Sequence, residues 1–121
     1  MEQVRFEKHQ GKDILMVDLS QTKDQNEAIA ILERGEQMIK TQAPKSVLLI
    51  TNIGDIRYDV NGVEAMKNFS NSITPYVRAS TVVGVSGIKR VILRTITRLT
   101  GRNIMPFDDI EKARDWLAKQ T

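Results

Sequence analysis

The chain has 121 residues, no cysteine, 40% hydrophobic and 27% charged side chains, and a formal charge of +3. That length fits a single domain, residues 1–121, with a core of its own, and the missing cysteines exclude disulfides, a thiolate nucleophile and a thiolate-ligated metal. The charge is uneven: residues 1–60 carry 8 basic and 10 acidic side chains, residues 61–121 carry 10 and 5, and no Asp or Glu lies between Ala65 and Phe107.

Val4 to Lys8 alternates apolar and polar residues, Gln10-Gly11-Lys12-Asp13 supplies a turn, and Ile14 to Leu19 is apolar and rich in strand formers. This predicts a β-hairpin. Asp24 is placed to cap a helix reaching about Thr41, with Ala28, Ile31, Leu32, Gly35, Met38 and Ile39 inward. Glycine costs a helix interior about 1 kcal/mol relative to alanine, so Gly35 implies close packing against a sheet. Ser46 to Thr51 is a short, continuously apolar run, as expected of a strand covered on both faces. Asn52 to Tyr58 reads as a connection, and Asp59 as the cap of a second helix with Val63, Met66, Phe69 and Ile73 inward, closed by Pro75. Ala79 to Val85 predicts a strand, Gly87 to Thr100 a third helix, and Asn103 to Phe107 a last strand. Asp108 is expected to cap a final helix, with Asp109 and Glu111 in its first turn and Ile110, Ala113 and Leu117 inward beside Trp116. The order ββαβαβαβα predicts an α/β domain: one mixed, mainly parallel five-stranded sheet with four helices, its opening hairpin antiparallel.

The third helix carries the main binding signal. Arg90, Arg94 and Arg98 are four apart and form one cationic stripe, with Leu93 beside them off the core face. Just before it, Ser86-Gly87-Ile88-Lys89 makes a strand-to-helix turn where free N–H groups and Lys89 could hold an anion. Ser86, Gly87, Lys89, Arg90, Arg94 and Arg98 are therefore the candidate residues for an anionic lipid or small anionic ligand. The bland alternatives are a solvated helix face and a tight turn capped by Ser86. The turn fits neither a P-loop nor a nucleophile elbow. No aromatic residue lies between the arginines, which argues against nucleic acid. His9, the single histidine, sits beside the hairpin turn and is expected to be exposed. Asp55 and Asp59 could hold a cation, but a loop residue and a helix cap explain them more simply, so no metal and no cofactor are assigned. No convergent acid, base and nucleophile are visible, so the expectation is a binding protein and not an enzyme. The first residues lack the apolar run of a signal peptide, and no run approaches the roughly 20 residues that span a bilayer. With the absence of cysteine, this suits a cytoplasmic protein without a transmembrane segment.

Val47-Leu48-Leu49-Ile50-Thr51 followed by Asp59-Val60-Asn61-Gly62 resembles a strand and the Asp-Ser-Ser-Gly motif of the STAS superfamily, the anti-sigma-factor-antagonist-like domains. Ala79 to Gly87, Phe107-Asp108-Asp109 and Ala113-Arg114-Asp115-Trp116-Leu117 look like the lipid-carrier-like members of that superfamily. The resemblance covers essentially the whole chain. It implies a regulatory interaction module that binds a protein partner around Asp59, Val60, Asn61 and Gly62, with Asp59 as a helix cap and Gly62 admitting close approach. In switching members the residue after the motif Asp is a phosphorylated serine. Val60 stands there, followed by Asn61, so the resemblance implies a module without that switch. Two functional expectations follow: binding of a protein partner, or carriage of an anionic lipid or small anionic ligand through the basic helix. A homodimer is compatible with either.

Overall fold

The structure, a computed structural model, describes residues 3–54, 57–84, 90, 93–94, 97–98 and 104–120. It opens with strands β1 (Val4–His9) and β2 (Lys12–Asp18). Their register pairs His9 with Lys12, so the loop is only Gln10 and Gly11, shorter than the turn expected from sequence. Both loop residues have left-handed backbone, φ 51° and 78°. That twist matches the right-handed twist of the flanking strands, and glycine meets it without steric cost.

Helix α1 (Gln25–Ile39) follows, its Asp24 cap accepting from the Glu27 N–H at 2.9 Å. Strand β3 (Val47–Asn52) leads to helix α2 (Val60–Ile73), then a 3-10 turn (Thr74–Tyr76) and strand β4 (Val77–Val83). Strand β5 (Ile104–Phe107) and helix α3 (Ile110–Ala118) complete the described elements. The result is an α/β fold with a single mixed five-stranded sheet in the order β1-β2-β3-β4-β5. The first pairing is antiparallel and the three others are parallel. Three α-helices are described in full. The helix expected over Gly87–Thr100 falls largely outside the described residues, although Arg90, Leu93, Arg94, Thr97 and Arg98 have helical backbone.

Two boundaries differ from expectation. Strand β4 starts at Val77 instead of Ala79 because the Pro75 turn feeds directly into it. Lys45 N–H donates to the Pro75 carbonyl and Ser46 N–H to that of Tyr76, at 3.1 and 3.0 Å. Val47 faces Val77 while Leu48 faces Ala79, so Arg78 is an extra residue at this irregularity. The strand ends at Val83, followed by Gly84 at φ +87°. The second difference is the final cap: Asp109, not Asp108, accepts from the Glu111 N–H, at 2.7 Å.

Strand β2 explains the two-sided core. Leu15 and Val17 point to α1 and α2, where they meet Ala28, Ile31, Leu32, Phe69 and Ile73. Ile14 and Met16 point the other way, to Ala113 and Leu117 of α3. Gly35 lets α1 approach the sheet: a Cβ there would lie 3.1 Å from Val17 Cγ2.

Candidate functional site

Between the sheet and α2 lies an apolar pocket. It encloses about 60 Å³ and is walled by Leu49, Ile53, Met66, Phe69, Val82 and Leu93 among others. Its polar lining residues among those described are Thr51, Tyr58, Ser70 and Ser80. Ser70 and Ser80 are buried. Ser80 on β4 and Ser70 on α2 both line the pocket, and residues this small leave space that larger side chains would fill.

Tyr58 forms part of the wall. Its phenol donates to the Ile53 carbonyl at 3.3 Å. Burial pushes its pKa up to about 12, because the phenolate would lose solvation in these surroundings.

Leu93, expected off the core face, instead faces inward and connects the pocket to the arginines. It lines the cavity and packs with Ile53, Val82 and Ile104. Arg90, Arg94 and Arg98, in the same segment, are exposed. The sequence suggested an uncompensated stripe; the structure brings Asp108 Oδ1 to 3.9 Å from Arg90 Nη2, a loose surface pair. Ser86, Gly87 and Lys89 of the expected anion turn lie outside the described residues, as does Asp55.

The Asp59 segment is built as a cap. Its carboxylate accepts from the N–H groups of Asn61 and Gly62, at 2.8 and 3.2 Å. Gln25, the first residue of α1, clasps it from across the fold. Gln25 Nε2 donates to Asp59 Oδ1 at 2.8 Å, and Asp59 N–H donates to Gln25 Oε1 at 3.0 Å. The Gln25 bond first, then that from Gly62, hold the Asp59 carboxyl below its usual pKa; desolvation opposes them in part, and the Asn61 bond adds a lesser pull downward. Val60, next in line, is 80% exposed, an unusual setting for a large apolar side chain. Gly62 is buried. A Cβ there would run into Gln25 Oε1 and lie 3.0 Å from Tyr58 Cδ1. Its small size therefore serves packing within the chain.

His9 is not exposed as expected. Its ring is 20% exposed, with Nε2 2.8 Å from Asp115 Oδ1 on α3. His9, Glu111 and Asp115 place possible ligand atoms within 4.8 Å of one another. These groups already bond each other and Arg114: Arg114 Nη1 reaches Glu111 Oε1 and its Nη2 reaches Glu7 Oε1, both at 2.6 Å. They fasten the hairpin to the last helix.

No family model matches the sequence, and no curated protein or solved structure matches it either.

Proposed function

We propose that this chain binds an anionic amphiphile, with an apolar end in the pocket behind α2 and the acidic head near Arg90, Arg94 and Arg98. The observation that carries this reading is Leu93, which lines the pocket from the same segment that bears three exposed arginines. A volume of about 60 Å³ is well below the roughly 150 Å³ of an apolar cavity that holds benzene. The pocket thus fits the end of an aliphatic chain and leaves the remainder outside, beside the cations. Among the described lining residues there is no carboxylate or imidazole, which favours binding over catalysis. The reading also agrees with the lipid-carrier-like STAS resemblance, here without a phosphorylatable serine.

Calorimetric titration with dodecanoate tests it. Ser80→Leu, which fills the pocket, is expected to abolish binding. Replacing Arg90, Arg94 and Arg98 by Gln is expected to weaken binding and remove most of its salt dependence. Unchanged affinity in both variants, or no heat with the wild type, refutes the proposal.

A protein partner at the Asp59–Gly62 segment is a second reading, favoured by the exposed Val60 beside the clasped cap. A photo-crosslinking residue at position 60 should then capture one protein from a cell extract. Val60→Asp should block binding of that purified partner.

A further inference from the structure

The two edges of the sheet are unlike. Strand β5 has only four residues and includes Pro106, which has no N–H to offer a new strand. Strand β1 has six residues, no proline and one neighbour, β2. Its outward groups follow from the hydrogen-bond alternation of an antiparallel pair. Asp18 N–H donates to the Gln3 carbonyl at 2.8 Å, and the register places Val4 opposite Val17. Gln3, Arg5, Glu7 and His9 therefore direct their backbone groups to β2, while Val4, Phe6 and Lys8 direct theirs away from it. At the centre of this open edge, Phe6 is 45% exposed, one of two large apolar side chains in that state among the described residues.

Charged side chains on an edge strand ordinarily oppose pairing. In β1 they select a register instead. Consider a second copy docked antiparallel, so that outward residues meet outward residues. Centring the pair on Arg5 sets Arg5 against Arg5, and centring it on Glu7 sets Glu7 against Glu7; like charges directly opposite are unfavourable. Within each chain Arg5 Nε already meets Glu7 Oε2 at 2.9 Å, and Glu7 also holds Arg114. Centring the pair on Phe6 sets each Arg5 against the second copy's Glu7, which joins the two intrachain pairs into one alternating network, with Phe6 against Phe6. Val4 then meets Lys8 of the second copy, and their free N–H and C=O groups complete the ladder.

We propose that two copies of this chain pair through β1, antiparallel about a twofold axis at Phe6, making one continuous sheet across the dimer. The occupant is a second copy because the edge complements itself in charge in that register alone among the three. One strand pair with one aromatic contact is a small interface, so the dimer forms at high protein concentration and exchanges freely.

Sedimentation equilibrium of the full chain over a wide concentration range is expected to show a monomer–dimer equilibrium. Phe6→Asp, which sets two carboxylates face to face at the axis, should raise the dissociation constant at least tenfold while far-ultraviolet circular dichroism stays unchanged. The absence of cysteine from the natural chain permits a milder second test. In Phe6→Cys the two Cα atoms would lie about 5.5 Å apart across the axis, within disulfide reach. In Lys8→Cys the thiols would be offset by about 13 Å along the strands. Phe6→Cys should therefore cross-link under mild oxidation much faster than Lys8→Cys. A wild type that stays monomeric at its solubility limit overturns the proposal, as does equal cross-linking of the two cysteine variants.

Discussion

Replacing Gly62 by Ala tests whether the Asp59 segment is held by packing inside the chain. Alanine is the better helix former, by about 1 kcal/mol in a helix interior and less in a first turn. On propensity alone the variant would be slightly more stable. The structure reverses the sign. The new Cβ would collide with Gln25 Oε1 and sit 3.0 and 3.2 Å from Tyr58 Cδ1 and Cβ. Gln25 is flexible, but moving it breaks its paired hydrogen bonds to Asp59. Tyr58 is less free, because it walls the pocket and donates to the Ile53 carbonyl. Overpacking of this kind costs about 1–3 kcal/mol. After the propensity gain, a net loss of about 1–2 kcal/mol remains, or roughly 4–8 °C in Tm for a chain of this length. Thermal unfolding followed by circular dichroism measures it. Adding Gln25→Ala should recover part of the loss, since one collision partner is then gone. A Gly62→Ala variant as stable as wild type, or more so, would falsify this account of the glycine.

Tyr58 should titrate late. Absorbance at the phenolate band should show one tyrosine resisting ionisation until about pH 12. Because its folded pKa lies above the ordinary 10, its contribution to stability is complete below pH 10 and is lost as pH rises towards 12. Tyr58→Phe should remove that late transition. For the final helix, Asp109→Ala should cost about 1 kcal/mol as a lost N-cap, whereas Asp108→Ala should change urea unfolding very little. At acidic pH the Glu7–Arg114 bridge should fail. Burial alone would raise the Glu7 pKa, but bonds and charge from Arg114, then Arg5, outweigh it and hold the group below its ordinary 4.5. Its stabilisation is present above pH 4.5 and lost as pH falls through the lowered value, so Glu7→Gln should flatten the acid limb of the stability profile.

Local features of the fold were legible because they depend on neighbouring residues. Asp24 and Asp59 each precede an amphipathic run and do cap helices. The apolar run at β3 does lie buried on both faces, with Leu49 and Leu48 in opposite clusters. Gly35 does mark the close approach of α1 to Val17. The misplaced cap at Asp108 was a choice between adjacent aspartates. Strand β5 ends at Phe107 as expected, and the choice falls to the aspartate whose carboxylate reaches a free N–H of the first turn, which is Asp109. The start of β4 depended on the Pro75 turn and the irregularity at Arg78, both products of its pairing with β3. His9 looked exposed because its partner Asp115 lies 106 positions away. The pocket was the hardest feature to foresee, since its walls come from segments spread along the chain. Its one sequence trace is the pair Ser70 and Ser80, small residues where an apolar helix face and a strand interior call for larger ones.

Methyl-resolved NMR during titration with dodecanoate tests the proposed binding function most directly. The single tryptophan is poorly placed to report, since Trp116 packs with the α3 cluster on the opposite face of the sheet. Methyl groups separate the two faces. The account predicts saturable shifts at Leu32, Leu49, Ile53, Val82 and Leu93 around the pocket, with Ile14 and Leu117 on the far side unmoved. Absence of shifts at the pocket methyls, or equal shifts on both faces, would contradict it.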